Sequence, residues 1–250
     1  MSADQYFREA QKIYDRIHDT QIPNIQNAAE LAAASIARDG LVHLFGSGHS
    51  VIPVLDVFPR YGSFAGFHPL MDSRLMWFQV LGSGGVRELL KLERTEGYVR
   101  EFLSNIKFEP IDTLVAYSHG GLNAAAIDVA LHAKSQGMKV IAVTSLDNAK
   151  ISAATHSTGK KLADCADVVI DNCCPPQDAL VEVGGFPVAA SSTLAVIVIS
   201  MALVAETAAR LAKHGVKFRA FVSPNVTSVG PDNNRQVFDE YIRRLAPRLR

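Results

Sequence analysis

The sequence predicts a doubly wound α/β domain, in which helices cover both faces of a mainly parallel, five-stranded sheet. Apolar runs of strand length alternate with segments of helix length along the chain. Two of those runs end in turns rich in Gly and Ser, at residues 46–50 and 118–121. Strands joined through helices need crossover connections, which place them in parallel within one covered sheet. No repeat, linker or low-complexity block suggests an internal domain boundary.

The first 39 residues predict two helices. Apolar side chains recur at helical spacing over residues 6–17, and an Ala-rich stretch over 25–38 follows Pro23 and stops at Gly40. We expect residues 1–39 to form an N-terminal helical extension that contributes to packing or dimerisation. Together with the rest of the chain it makes one domain over residues 1–250.

The remaining elements follow from changes in hydrophobic period. Strands are predicted at 41–45 (LVHLF), 113–117 (TLVAY), 139–143 and 167–170, with a weaker candidate at 75–80. Helices are predicted at 86–103, 122–136, 191–213 and 232–243. In such folds the ligand lies beyond the carboxyl ends of the strands, which is where both Gly/Ser turns fall.

Composition excludes several function classes. The chain of 250 residues is 48% hydrophobic and carries 25 basic and 25 acidic side chains, so it can bury one large core but lacks the basic field of a non-specific nucleic-acid binder. Its strongest apolar run, 194–205, is short for a bilayer span, and its first residues lack the continuous apolar stretch that is typical of a signal peptide. Three cysteines do not form a paired framework. We expect a cytoplasmic protein with a small-molecule partner and no membrane or nucleic-acid partner.

The first turn, GSGHS at 46–50, indicates anion binding. It lacks the Lys-Ser/Thr ending of a nucleotide P-loop and the third glycine of a dinucleotide site, so NTP and NAD fit poorly. Backbone N–H groups near a helix N-terminus, together with serine hydroxyls, bind phosphate. On its own an ordinary tight turn explains the pattern equally well, and the second Ser/Gly turn favours phosphate.

The two turns, GSGHS and SHGGLN, followed by MKVIAVTS, resemble the SIS (sugar isomerase) domain that binds phosphosugars, over residues 28–209. Ser118 and Gly121 match the family's second turn, whereas Gly120 and Asn123 replace two of its hydroxyl residues. The resemblance implies the SIS fold without a cofactor. It also implies a set of phosphate-binding residues: Gly46, Ser47, Gly48, Ser50, Ser118, Gly120, Gly121 and Asn123.

Within that family the chain resembles a bacterial branch and, more distantly, the N-acetylmuramic acid 6-phosphate etherases. Residues 84–96 are similar to the etherase segment that carries the catalytic base, which falls on Glu93. Residues 56–62 resemble the segment of the catalytic acid, with Asp56 in place of a glutamate. From the residues alone, Glu93 and Glu96 fit a solvated helix face better than a pocket. Asp56 lies in an apolar helix, where a partnered or functional role is more plausible.

The histidines divide by position. His49 and His119 lie inside the turns, where catalytic contact and simple packing are equally compatible with the pattern. The resemblance and the loop positions make Glu96, His68, His156 and Ser191 candidate substrate contacts. His43 is interpreted as a packed core residue, and no metal site is expected because Cys173 and Cys174 are adjacent without a second ligand pair. The polar loop 223–234 is a further candidate border of the site.

The resemblance implies a hexose or amino-sugar 6-phosphate as substrate. We expect a carbon–oxygen lyase that dehydrates N-acetylglucosamine 6-phosphate by β-elimination, with Glu93 as base and Asp56 or a nearby histidine as acid. An aldose–ketose isomerase and a non-catalytic phosphosugar sensor remain alternatives. Family members commonly dimerise, and the long apolar helix agrees with a homodimer.

Overall fold

The protein, described by a computed structural model over residues 2–225 and 229–250, folds around one parallel sheet. The sheet has five strands in the order β2-β1-β3-β4-β5. The strands are β1 (Val42–Gly46), β2 (Phe67–Leu70), β3 (Thr113–Tyr117), β4 (Lys139–Thr144) and β5 (Val168–Asp171). Gly46 lies opposite Tyr117, and Tyr117 opposite Val143, so the carboxyl ends of three strands meet at one edge. The predicted fold class is confirmed.

Helices cover both faces of the sheet. They are α1 (Ser2–Ala37), α2 (Val51–Val57), α3 (Val86–Leu92), α4 (Val99–Leu103), α5 (Ala124–Ser135), α6 (Leu146–Ile151), α7 (Ser192–Lys213) and α8 (Asn233–Leu245). Side chains alternate along the strands, so Val115 and Tyr117 pack with α1, α2 and α7, whereas Leu114 and Ala116 pack with α4 and α5. Both faces of the sheet are therefore core.

The prediction of two N-terminal helices was wrong, because α1 runs unbroken from Ser2 to Ala37 with Pro23 inside it. Proline removes one backbone donor and disfavours a helix interior. Here the Pro23 ring faces solvent, and buried Ile17 and Ile25 hold the helix against the core on either side of it. The predicted helix at 86–103 is divided into α3 and α4, with Gly97 between them at φ +80°.

The weak strand candidate at 75–80 was also wrong. Leu75 ends a one-turn 3₁₀ helix, and Phe78 and Val80 are exposed. The strand in this region is β2, which lies at the edge of the sheet, where Pro69 costs no hydrogen bond to a central neighbour. A separate hairpin, β6 (Ala179–Val183) and β7 (Phe186–Ala190), turns at two glycines of positive φ.

Among the described residues, α7 is the one helix long and apolar enough to cross a membrane. It packs against α1 and α2, and Ala195, Ile199, Leu203 and Leu211 on it are buried in the core. This agrees with its interpretation as a core helix. Of the polar loop 223–234, residues 226–228 lie outside the described part of the chain.

Candidate functional site

The turn after β1 has room only for glycine at its first position. A Cβ on Gly46 would lie 2.0 Å from the backbone oxygen of Ser50, and Gly48 has φ +58°, which disfavours other residues. The turn leads through a one-turn 3₁₀ helix, Gly48–Ser50, directly into α2. The Ser47 side chain does not cap this helix and instead donates a hydrogen bond to Oε2 of Glu93 at 2.8 Å.

Glu93 terminates α3 and is 6% exposed. Its Oε2 and a methyl carbon of Leu89 each lie 3.8 Å from the position that a Cβ on Gly48 would take. The Glu93 backbone oxygen accepts a hydrogen bond from Ala125 N at 3.0 Å, which ties the end of α3 to the start of α5. Glu93 is thus buried beside the β1 turn, contrary to the solvated position that the residues alone favoured.

Burial raises the pKa of the Glu93 carboxyl, and the hydrogen bond from Ser47, the charge of Arg94 and the neighbouring Asn123 side chain oppose this rise without cancelling it. Glu93 forms no ion pair within residues 2–225 and 229–250, and its closest side-chain partner is the neutral Ser47 hydroxyl. A buried carboxyl group with a raised pKa holds a proton more readily than an exposed one, which suits proton transfer. These are the properties of a general base.

The turn after β3 closes the site from the neighbouring strand. The Ser118 hydroxyl is buried and accepts a hydrogen bond from Gly121 N at 3.2 Å. Gly121 has φ +64°, and a Cβ there would lie 2.7 Å from Oγ1 of Thr144. The Gly120 carbonyl accepts from the Asn148 side chain at 2.9 Å. Asn123 precedes α5 without capping it, and its side chain lies near enough to Glu93 to lower the pKa of that carboxyl.

The structure therefore brings together both predicted turns and Glu93. Ser47 contacts the Glu93 side chain from the β1 turn, and Ala125 N, just after the β3 turn, donates to the Glu93 backbone oxygen. Ser50 is half-buried at the start of α2. The resulting site has serine hydroxyls, backbone N–H groups and one buried carboxyl at the carboxyl edge of the sheet.

The two turn histidines differ in their surroundings. His49 is exposed, and the centre of its ring lies 4.5 Å from that of Trp77. His119 is half-buried, with Nδ1 3.2 Å from the side-chain nitrogen of Asn172 and Nε2 3.4 Å from the Pro176 oxygen. His49 is therefore free to approach a ligand, whereas His119 is engaged with the chain after β5.

Asp56 is remote from the β1 turn. It lies five residues along α2 from Val51, about 8 Å at 1.5 Å per residue. Its carboxylate forms an ion pair with Arg60. The apolar setting of Asp56 predicted a partner for its charge, and Arg60 is that partner. The structure does not bring Asp56 into contact with Glu93.

Glu96 and His156 lie beside the β3 turn, and each is held by hydrogen bonds to other residues. Glu96 is exposed and accepts hydrogen bonds from the backbone and hydroxyl of Ser157. His156 is buried, with Nε2 3.1 Å from Asp128 and Nδ1 2.9 Å from Thr158. With Asn123, Glu96 and His156 line a cavity of about 240 Å³ beside the β3 turn.

The expectation that His68 lies in a polar loop was wrong. It is buried on β2 opposite His43, and its Nδ1 lies 2.7 Å from the Tyr241 hydroxyl. Burial and the neighbouring His43 lower its pKa to about 3. Ser191 is buried too, and its hydroxyl contacts Oδ1 of Asp178 at 3.2 Å. His43 is fully buried in the core, as predicted.

Sequence reasoning missed Trp77, because the apolar run 75–80 indicated a buried strand rather than a loop beside the β1 turn. It also missed Asn172, which orients His119. The position of neither residue follows from its sequence neighbours. Within the described ranges, no group of three or more His, Cys, Asp or Glu residues could hold a metal ion.

Comparisons with known proteins agree with this architecture. The family model described as "SIS domain" matches residues 5–145. A UPF0309 protein of Listeria monocytogenes serotype 4b is 32% identical over 236 residues, which cover 94% of this chain and 93% of the relative. The phosphoheptose isomerase of Neisseria gonorrhoeae shares the fold with a TM-score of 0.56 at 17% identity, over 83% of this chain and 97% of that one.

A second solved structure, a phosphoheptose isomerase from Francisella tularensis, has a TM-score of 0.52 at 15% identity over 82% of this chain and 95% of that one. At such identities the likeness concerns the fold. The family match and the Listeria relative go further, because they cover more than half and nearly all of the chain respectively. The protein belongs to the SIS domain family, with the UPF0309 proteins as its relatives.

Proposed function

We propose that this protein is an enzyme that holds a sugar phosphate at the β1 and β3 turns and removes the proton on C2 of the sugar with Glu93. The observation that carries the proposal is the burial of Glu93 between the two turns, where it has neutral partners and a raised pKa. Perturbed carboxyl groups beside an anion-binding turn are typical of general bases.

The phosphate would be held by hydroxyl and backbone donors rather than by lysine or arginine. Ser118 accepts its hydrogen bond from Gly121, so its own hydroxyl proton is available to a phosphate oxygen. Helix α5, which begins three residues after Gly121, adds the favourable end of its dipole. A chain with zero formal net charge can therefore bind a dianionic substrate.

The finer proposal is a lyase that acts on an N-acetylamino sugar 6-phosphate. In the open aldehyde the C2 proton is acidic, and Glu93 removes it. The electron pair forms a C2=C3 double bond as the C3–O bond breaks, and an acid protonates the leaving oxygen to give water. The acetamide at C2 prevents conversion to a ketose. The similarity of residues 84–96 to the etherase segment supports this reaction.

We assign the acid to His49 in preference to Asp56. His49 follows Gly48 in the turn that contacts Glu93, and its ring is exposed. Asp56 is paired with Arg60 at the far end of α2. On this assignment His49→Gln lowers turnover far more than Asp56→Asn does.

The experiment is NMR of N-acetylglucosamine 6-phosphate incubated with the protein in D₂O. Proton removal from C2 appears as deuterium incorporation even where no net product forms, and elimination appears as a new vinylic signal. We expect Glu93→Gln to slow both by about 100-fold or more while calorimetry still detects binding. The matched control is Glu101→Gln, because Glu101 is exposed on the next helix, α4. An active Glu93→Gln variant overturns the proposal.

An aldose–ketose isomerase is the second candidate, because it begins with the same proton transfer at Glu93 and returns the proton to C1. Non-acetylated sugar phosphates distinguish the two, since only the isomerase converts them to ketoses. Binding without exchange or product in any of these substrates would favour a sensor.

We further propose a homodimer. Exposed apolar side chains cluster on the first half of α1, on β7 and at the start of α7, and include Phe7 (72% exposed), Phe186 (71%) and Leu194 (48%). A hairpin of two strands is marginally stable alone, and all five residues of β7 are exposed. A second copy would cover this face. Light scattering checks the mass, and Phe7→Ser with Phe186→Ser should yield monomers.

We also propose that the protein resides in the cytoplasm. All three cysteines are free and buried. Burial raises the pKa of Cys173 to about 11 and that of Cys174 to about 12, which keeps these thiols protonated. Unpaired buried thiols suit a reducing compartment.

A further inference from the structure

We propose that Trp77 is a substrate-binding residue, whose indole forms an apolar wall of the site and favours an N-acylated sugar phosphate over one with a free amine. This inference rests on the proposed function, since it concerns the sugar that the two turns hold. It adds a contact that neither turn supplies, and it names the substituent that the contact selects.

The position of Trp77 follows from two contacts of the β1 turn. Ser47 in this turn donates to Glu93 at 2.8 Å. Two residues later, the His49 ring packs on Trp77 with 4.5 Å between ring centres and 52° between ring planes. A sugar phosphate anchored at the turn would therefore lie within reach of both Glu93 and Trp77.

The loop that carries Trp77 is closed by its own hydrogen bonds. Phe78 N donates to the Gly84 oxygen at 3.3 Å, and Val86 N donates to the Val80 oxygen at 3.2 Å. Gly84 N in turn donates to the Glu88 carboxylate at 2.8 Å. Helix α3 begins at the end of this loop and leads to Glu93, so one short segment positions the indole and the base together.

The chemistry of the loop suits an acyl group. Residues 76–85 (MWFQVLGSGG) contain no charged side chain. A sugar C–H face or an acetyl methyl gains free energy when it leaves water for an aromatic surface. A free amine at C2 lacks this methyl contact with the indole. The wall therefore adds binding free energy for the acylated sugar at C2, next to the proton that Glu93 would remove.

The chain contains one tryptophan, so its fluorescence reports on Trp77 alone. We expect titration with N-acetylglucosamine 6-phosphate to change the emission until it saturates, at the same midpoint that calorimetry gives. Glucosamine 6-phosphate should bind with a weaker affinity. Trp77→Ala should weaken binding of the acetylated sugar about tenfold, or 1.4 kcal/mol, and leave that of inorganic phosphate unchanged. Trp77→Phe should retain affinity within about threefold, because it keeps an aromatic wall.

Phe78→Ala is the matched control, since Phe78 is the next residue in the same loop and its side chain is 71% exposed. Two results together would overturn this inference and leave the proposed function intact. The emission of the unsubstituted protein would stay unchanged while calorimetry detects binding of the acetylated sugar, and Trp77→Ala would bind that sugar with unaltered affinity. Equal weakening for inorganic phosphate would also overturn it, because the variant would then have disturbed the turn. Absence of binding for every sugar phosphate would overturn the proposed function as well.

Discussion

The two edges of the central sheet both bury a carboxyl group, and they treat it in opposite ways. At the amino edge Asp112 accepts two hydrogen bonds from Arg248, at 2.8 and 2.6 Å, one from Leu41 N at 2.8 Å and one from His43 at 3.2 Å. At the carboxyl edge the side-chain hydrogen bond to Glu93 comes from neutral Ser47, and the neighbouring Arg94 charge forms no ion pair with it.

The pKa values of the two groups move apart accordingly. Burial alone would raise the pKa of Asp112, but hydrogen bonds from His43 and Arg248 outweigh burial and hold it well below its usual range. Burial dominates at Glu93 and raises its pKa. A buried carboxylate with cationic hydrogen-bond partners stays ionised and stabilises the fold, whereas one with neutral hydrogen-bond partners remains available for proton transfer.

Removal of the paired carboxylate should have the largest effect on stability. Asp112→Ala leaves Arg248 buried without its counter-charge, and we expect the free energy of unfolding to fall by about 3–5 kcal/mol. Urea denaturation measures this fall. Asp232→Ala removes an exposed partner of Arg235 and should change the same quantity by less than about 0.5 kcal/mol. Similar losses in both variants would contradict the distinction between buried and exposed pairs.

The amino edge should also make stability depend on pH through His68, which faces His43, Asp112 and Tyr241. At pH 7 His68 is neutral in both states. Below pH 6.5 the unfolded chain binds a proton that folded His68, with a pKa of about 3, does not bind, so stability falls as pH falls from 6.5 towards 3. We expect the free energy of unfolding to fall by about 2 kcal/mol between pH 6.5 and 5, and to depend less on pH in His68→Gln. The same dependence on pH in both proteins would refute this.

The smallest stability effect is expected at Glu93, and its sign is opposite. The unfolded chain ionises Glu93 more readily than the folded protein does, so its charge costs stability once pH rises above about 4.5. Glu93→Gln should therefore unfold at an equal or slightly higher urea concentration at pH 7, while turnover is lost. The gain should vanish below pH 4. A marked loss of stability would show that Glu93 is structural.

Local patterns predicted the elements that build the site. The runs LVHLF and TLVAY end in glycine turns, and the structure has β1 and β3 there with shifts of at most one residue. The edge strand β2 was missed because FHPL contains a proline and follows a loop. The 36 residues of α1 were divided at Pro23, since the packing that offsets the proline involves side chains distant in sequence.

The site itself was only partly predictable. The positions of the two Gly/Ser turns follow from glycine and serine spacing, but helical spacing gave Glu93 a solvated face, and only the family resemblance indicated a base. Its burial depends on Gly48 and Asn123, which approach it through tertiary structure. Contacts such as that of Asp56 with Arg60, or Trp77 with His49, require the folded backbone and could not be read from the spacing.

Arg248 has a consequence for synthesis of the chain. It binds Asp112 across 136 residues of sequence, and Arg244 on the preceding helix reaches back 208 residues to the Ile36 oxygen. A nascent chain emerging from the ribosome can form β1 to β5 and still have an open amino edge, with Asp112 lacking its counter-charge. Completion of that edge must wait for α8 and for Arg248 after it, so Asp112 keeps an uncompensated charge until those residues are made.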